Sequence, residues 1–422
     1  MALEVLEGPF DLRLAPPGSK SLTNRALVLA ALATGRSRLR GPLRSADTDG
    51  LRDALAALGA VVTERDGTWS VEGVGGRFPR GGTLDLGDGG TPTRFMLAAG
   101  ALADAPVTVD GSPRMRERPV EEGIELLRRL GVSLAGTGRP EALPVRIEPW
   151  SPATGGRLEV GRTASSQFIS ALLLVAPWTR EGITVVFREP PTSRTYVELT
   201  LQLLQRLGVA CHRTGPDHLT VEPGAPAAFD LAIEPDASSA IYWWAAAAMV
   251  PGARMRIAIP RDSRQPDLEA LALLARLGAI VDRDDDSITV TGPDRLEGTR
   301  LDAEACPDAA VMLAVACARA EGPSRIDGLH TLRVKETDRI HALAAELART
   351  GCTVREHPDA IEVDPATIVP GPIRVRTWND HRIAMAFGIL GLVREGVVIE
   401  DPGCVGKSYP GFWSDRARLV GG

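Results

Sequence analysis

Six stretches of the chain share one pattern, a polar or charged first turn followed by a run of small and apolar residues. They start at Ser21, Thr93, Ser166, Ser238, Asp308 and His381, in steps of 72, 73, 72, 70 and 73 residues. Runs that are apolar on nearly every side predict buried helices rather than amphipathic surface ones. A second kind of helix recurs at the same period. It stops at Leu58-Gly59, Leu130-Gly131, Leu207-Gly208 and Leu277-Gly278, with Thr350-Gly351 as a weaker fifth copy. Glycine at those places reads as a helix C-cap. Short β-rich runs such as 182–187 and 396–400 lie between and after the helices. Each repeat therefore predicts two helices plus several strands.

Solenoids and propellers stack shorter units, roughly 20–50 residues long. An α/β repeat near 72 residues is long enough to form a sizeable part of a core. Six such units predict an α/β protein of two domains with three units each. The midpoint falls near Pro223-Gly-Ala-Pro226 and before Asp236, and a second break lies at Ala15-Pro-Pro-Gly18. The expected division is 15–232 for units one to three, and 1–14 plus 233–422 for units four to six. The first strand, about Glu4 to Leu14, would then cross over and complete the other domain.

Length and composition agree with this picture. A chain of 422 residues exceeds one ordinary core. Its 44% hydrophobic and 24% charged residues are those of a globular protein. The net charge of −6 gives no global basic field for nucleic acid or an anionic membrane. The first residues carry no pattern of a secretory leader, and no run approaches the roughly 20 apolar residues of a membrane helix. Five scattered cysteines show no C-x-x-C spacing for zinc, and a reducing cytoplasm fits them best. The basic residues are uneven: of 48, only Lys20, Lys335 and Lys407 are lysine. Lysine is a compact charge whose amine can shift its pKa and pass a proton, which guanidinium cannot do. All three stand in polar runs, so they are candidates for places where arginine cannot serve.

The polar first turns carry the candidate chemistry. Buried helices with polar N-termini at equivalent places aim positive dipole ends toward a common region, which suits an anion. Ordinary capping explains any one of them; six in register, several with Arg or Lys beside the cap, favour the anion. Lys20, Ser21 and Arg25 surround the first start, without the spacing of a P-loop. Gly87-Asp-Gly-Gly-Thr-Pro-Thr-Arg94 is a glycine-rich turn into the second. Arg114-Met-Arg-Glu-Arg-Pro119 packs three arginines before a helix expected near Pro119. Arg333–Arg339 reads either as surface ion pairs or as part of the same polar set. That set holds too many cations for one carboxylate, and Asp308 and Glu336 could move protons beside them. The residues alone lead to a two-domain α/β protein that binds small polyanions, with acid–base transfer as the chemistry.

In this order the runs PGSKSLTNRA, GGTPTR, PRMRERP, SSQF, DASSA, RVKETDR, NDHRIAMA and GKSYP resemble the 5-enolpyruvylshikimate-3-phosphate synthases, over nearly the whole chain. The resemblance implies the two-domain enolpyruvyl transferase fold, six βαβαββ units arranged three per domain around buried helices, with the ligands between the domains. It implies transfer of the enolpyruvyl group of phosphoenolpyruvate to the 5-hydroxyl of shikimate 3-phosphate, by addition and elimination, in the pathway to aromatic amino acids. No metal and no organic cofactor is implied. The expected partners are the two small-molecule substrates, with no nucleic acid and no membrane, for a cytoplasmic monomer.

By motif position, Lys20, Ser21, Arg25, Ser165, Ser166, Gln167, Ser193, Tyr196, Asp308 and Lys335 resemble shikimate-phosphate contacts. Lys20, Gly90, Arg94, Arg114, Gln167, Arg339, Arg382 and Lys407 resemble the phosphoenolpyruvate side. Asp308 resembles the base for the hydroxyl, Glu336 the acid at the methylene carbon, and Lys20 a donor to the bridging oxygen or the departing phosphate. Two departures stand out. Asp88-Gly89 replaces the usual Asn then Ala or Ser, and Thr331 stands where some members have Asn. Gly90 is expected to leave room for the inhibitor glyphosate. The sister transferase acting on UDP-N-acetylglucosamine, which typically has a Lys-Asn start, is the near alternative. A non-catalytic polyanion-binding scaffold is the distant one.

Overall fold

The computed structural model describes residues 1–215, 217–365 and 371–421. Contacts divide the chain into two compact units, one of Gly18–Ile233 and one of Met1–Pro17 with Glu234–Gly422. Each has its own apolar core.

The unit Gly18–Ile233 holds helices α1 (Lys20–Leu32), α2 (Ala46–Leu58), α3 (Gly90–Ala99), α4 (Pro113–Glu117), α5 (Glu121–Arg129), α6 (Ser166–Val175) and α7 (Arg194–Arg206). Three four-stranded sheets accompany them, each with one plan. An edge strand lies parallel to the next, and a hairpin adds two antiparallel strands. In the second sheet Gly82–Asp85 runs parallel to Val107–Asp110, which pairs antiparallel with Val145–Ile147 and through it with Leu134–Gly136. Register follows the period-2 pattern. In Thr34–Arg40, Ser37 and Leu39 are buried while the arginines between and beside them face outward, and Leu39 stands opposite buried Trp69. Helices α1, α3 and α6 pack on one another at the centre. They are apolar all round because they have neighbours all round.

The unit Met1–Pro17 with Glu234–Gly422 repeats the plan with α8 (Ala237–Ala248), α9 (Ala270–Arg276), α10 (Ala310–Cys317), α11 (Arg339–Arg349), α12 (His381–Leu390) and α13 (Phe412–Val420). Central helices α8, α10 and α12 pack on one another, and α10 and α12 are buried along their whole length. The sixth repeat departs from the plan. Its strands Ile373–Val375 and Val397–Ile399 pair parallel, and α13 stands where the other repeats have a hairpin. Phe412 on α13 stacks 5.2 Å from Trp243 and edge-on to Tyr409 and Tyr242. Gly388 admits this ring, since a Cβ there would come within 2.9 Å of it.

The chain crosses between units twice. The strand before α1, Asp11–Leu14, pairs with Arg254–Ile257. The strand before α8, Asp230–Ala232, pairs with Thr34–Arg40. The two units thus exchange the edge strands that precede their first helices. Gly18 lies at the first crossing because a Cβ there would stand 2.1 Å from the Gly41 carbonyl oxygen.

All five expected helix-stop glycines, Gly59, Gly131, Gly208, Gly278 and Gly351, have positive φ, as a left-handed cap requires. At the N-termini, Ser19, Ser165, Asp236 and Asp380 cap α1, α6, α8 and α12 through their side chains, one or two residues before the expected starts. α3 begins earlier than expected, at Gly90, and has no side-chain cap. α10 begins just after Asp308, at Ala310. The arginine run before Pro119 itself forms a short helix, α4, with Ser112 as its cap. α5 then starts at Glu121, just past Pro119, which cannot continue a helix.

Candidate active site

In the unit Gly18–Ile233, candidate residues gather at the N-terminal ends of α1, α3 and α6. Lys20, the first residue of α1, places Nζ 3.1 Å from Oδ2 of Asp47 in the first turn of α2. A capping box between Ser45 and Thr48 fixes that turn. Arg94 donates from Nη1 to Gln167 Oε1 at 2.7 Å, and Gln167 Nε2 donates to Thr91 Oγ1 at 2.8 Å. The carboxamide therefore bridges α3 and α6, and the Arg94 guanidinium lies 5.2 Å from the Phe168 ring centre. Ser166 is buried at the start of α6, and Ser165 accepts from the Gln167 amide. Ser193 precedes α7 in a left-handed conformation, φ 46°, without a side-chain capping bond. Half-buried Tyr196 lies within the first turn of α7.

Arg25, expected among the shikimate-phosphate contacts, is 1% exposed. It donates to Thr200 Oγ1, Ser170 Oγ and the carbonyl oxygens of Ser21 and Tyr196, at 2.7–3.2 Å. Its guanidinium thus ties α1, α6 and α7 together. Burial lowers its pKa to about 10, with the Tyr196 hydroxyl opposing the shift.

Arg114, expected on the phosphoenolpyruvate side, is 40% exposed on α4 and pairs with Glu117 at 2.8 Å. The arginine that reaches Gly90 is Arg118, which is 7% exposed. A Cβ on Gly90 would stand 2.7 Å from both terminal nitrogens of Arg118. The bonds of Arg118 to protein are weak ones, to the Asp88 carbonyl at 3.4 Å and to the Met115 sulfur at 3.8 Å. Its Nε has no hydrogen-bond partner among the described residues. A buried cation so thinly bonded is suited to an anion. The sequence signal was the turn geometry: Pro119 ends the short helix and swings Arg118 inward. Asp88, the extra carboxylate of this chain, accepts from the hydroxyl of Ser112.

The second set belongs to the other unit and centres on Arg339, the first residue of α11, 1% exposed. It donates to three carboxylates: Asp380 at 2.7 Å, Glu336 at 2.7 Å and Asp308 at 2.9 Å. Burial opposes its charge, but Asp380, Glu336 and Asp308 outweigh burial and raise its pKa. Arg382 donates to the second oxygen of Asp308 at 2.9 Å. Lys335 stands 3.6 Å from Asp308, and Lys407 stands 3.3 Å from Glu336. All three lysines of the chain therefore face carboxylates. Burial raises the pKa of the Asp308 carboxyl, but Arg382, Lys335 and Arg339 overcome it and hold the group well below the usual carboxylate range. Asp380 caps α12 by accepting from the Arg382 amide at 2.8 Å, so one carboxylate orients both arginines.

Two residues of this set were not among the expected site residues. Asp267, 1% exposed, accepts from the Ser238 hydroxyl through Oδ2, while its Oδ1 has no partner among the described residues. Burial, and then the charge of Asp308, push its pKa up to about 6. Asp380 reads in sequence as a simple cap, yet it is the anchor of Arg339. Thr331 is buried, and its hydroxyl has no partner among the described residues.

Comparison with known proteins gives the family from sequence and the fold from solved structures. Residues 7–415 match the family model for EPSP synthase (3-phosphoshikimate 1-carboxyvinyltransferase). The chain is 40% identical over 420 residues to the 3-phosphoshikimate 1-carboxyvinyltransferase of Methanosphaerula palustris, with 97% of each protein covered. It is 39% identical to a relative of the same name from Rhizobium etli, covering 97% of this chain and 95% of that one. Among solved structures, EPSP synthase from Acinetobacter baumannii superposes with a TM-score of 0.83 at 24% identity, covering 99% of this chain and 97% of that one. The enolpyruvyl transferase NikO from Streptomyces tendae superposes with a TM-score of 0.76 at 19% identity, over 99% and 96%.

Proposed function

The chain belongs to the EPSP synthase family, and from that premise we propose that it transfers the enolpyruvyl group of phosphoenolpyruvate to the 5-hydroxyl of shikimate 3-phosphate and releases phosphate. It is a transferase of the shikimate pathway, and its substrates are small molecules. The observation that best supports the reading is the cluster around Arg339. There the two carboxylates that would move protons, Asp308 and Glu336, are held by the cations that would hold the phosphoenolpyruvate anion.

The chemistry balances without an oxidant or a further reactant. The hydroxyl oxygen bonds to C2 of phosphoenolpyruvate while C3 gains a proton and becomes a methyl. The C2–O bond to phosphate then breaks as the methyl gives up a proton, and one proton in total leaves with phosphate. Asp308 takes the hydroxyl proton. A carboxyl held so far below its usual range is a poor base while Arg382, Lys335 and Arg339 face it. Phosphoenolpyruvate supplies those cations with another anion, so Asp308 gains basicity when the substrate arrives. Glu336 serves the methylene carbon. Lys20 serves the bridging oxygen or the leaving phosphate, where its compact ammonium can both pair and donate.

The unit Gly18–Ile233 carries anion-binding groups of its own. The N-terminal amides of α3, with Arg118 beside Gly90, take phosphoenolpyruvate oxygens. Arg94 sets Gln167, and Ser21, Ser165, Ser166, Ser193 and Tyr196 contact shikimate 3-phosphate, with Arg25 fixing the helices that carry them. The five cysteines are free, and no helix among the described residues is long and apolar enough to cross a membrane. Free thiols fit the reducing cytoplasm proposed as the place of action.

The test is phosphate release from phosphoenolpyruvate with each of two acceptors. Release is expected with shikimate 3-phosphate and not with UDP-N-acetylglucosamine; the reverse result would overturn the reading. In the same assay Glu336→Gln should keep shikimate 3-phosphate binding and lower kcat about 100-fold or more. Full activity would remove its role.

A further inference from the structure

We propose that Glu346 and Trp378 are positioning residues for the reaction, forming a latch that holds a strained turn and thereby sets Asp380 and Arg382. Trp378 and Asn379 are consecutive non-glycine residues with φ of 58° and 54°. The left-handed region is unfavourable for a bulky side chain and persists only where surrounding contacts impose it. The next residue is Asp380, whose carboxylate accepts from Arg339 Nε and from the Arg382 amide. The path of this turn therefore decides where the α12 cap stands and where Arg382 begins.

The contacts that impose the turn come largely from Glu346 on α11. Its side chain is fully buried, and nothing in the acid–base chemistry uses it. Oε1 accepts from Trp378 Nε1 at 3.0 Å and Oε2 accepts from the Arg376 amide at 3.2 Å, so one carboxylate clamps both sides of the bend. The Arg376 guanidinium lies 4.3 Å over the Trp378 ring, and His341 meets that ring edge-on at 5.5 Å. Arg349 stands 3.3 Å from the Glu346 carboxylate. Helix α11 thus grips the same short segment twice, through Arg339 on Asp380 and two turns later through Glu346 on Trp378. A buried carboxylate is costly unless its bonds are made. Here those bonds go to the backbone and indole that shape the active-site helix start.

The kinetic arm of the test rests on the proposed function; the structural arm does not. Trp378→Phe keeps an aromatic ring but removes the indole N–H together with its five-membered ring, while Glu346→Gln leaves an acceptor for one side of the bend and not both. Each should raise KM for phosphoenolpyruvate about tenfold, because Arg382 is displaced, and leave KM for shikimate 3-phosphate nearly unchanged. Asn379→Gly, which accepts the same φ, should change neither KM by more than about twofold. A fall in Tm with both KM values unchanged would overturn the proposal, since that is what a merely structural contact gives. Crystal structures of Trp378→Phe and Glu346→Ala form the second arm, whether or not the wild type releases phosphate. Residue 378 should leave the left-handed region and the Arg382–Asp308 pair should open; retention of the turn and the pair in both variants would overturn the proposal.

Discussion

Arg114 and Arg118 lie one helical turn apart in one basic run, and their fates differ because a proline stands next to one of them. Pro119 ends α4, so Arg118 folds back against Gly90 while Arg114 stays 40% exposed beside Glu117. Arg118→Ala should raise KM for phosphoenolpyruvate roughly 10- to 100-fold through loss of a charge-assisted contact. Gly90→Ala should push Arg118 aside and raise the same KM, and it should weaken competitive inhibition by glyphosate in parallel. Asp267 gives a pH prediction. Its folded pKa of about 6 lies above the ordinary carboxylate value, so its contribution to stability is present at low pH and is lost as pH rises through about 6. Asp267→Asn keeps an acceptor for Ser238 and removes the charge. Its stability relative to wild type should therefore rise between pH 4 and pH 7, by roughly 2–3 kcal/mol. Thermal melts across that range check this, and a flat difference would contradict the assignment. Residues such as Asp267 and Asp380 were not legible in the sequence because burial and a distant neighbour's charge define them.

Elements were far more legible. The apolar runs gave six buried helices because a helix surrounded by other helices has no polar face to write into the sequence. The Leu-Gly stops were readable because the left-handed cap is a local demand that glycine meets. Helix α4 and the sixth repeat's use of α13 were not readable, since a five-residue helix leaves no period and α13 is held by packing on Gly388. Arg25 shows how one element-scale role hides inside a motif. It reads as a ligand contact, yet it hydrogen-bonds α1, α6 and α7 together. Arg25→Met should lower stability by about 3 kcal/mol, because it leaves several buried acceptors without their donor. Calorimetric unfolding checks this, and an unchanged Tm would return Arg25 to a purely ligand-directed role.

At the scale of the molecule, the period near 72 residues carries the architecture. Repetition of one α/β plan puts equivalent helix starts at equivalent places within each unit, which is why residues as far apart in sequence as Asp308, Arg382 and Lys407 share one cluster. The exchanged edge strands were partly legible, from the Pro-Pro-Gly break before α1. Their partners were not, because pairing is a long-range choice that no local pattern encodes. The central claim is addition and elimination at the enolpyruvyl carbons, run by Asp308 and Glu336 under the cations that hold them. Mass spectrometry of the product formed from shikimate 3-phosphate and phosphoenolpyruvate in D2O tests it most directly. The account predicts an enolpyruvyl ether with deuterium on its methylene carbon, formed much more slowly by Glu336→Gln. Unreacted shikimate 3-phosphate, or a product whose methylene carbon carries only hydrogen, would contradict it.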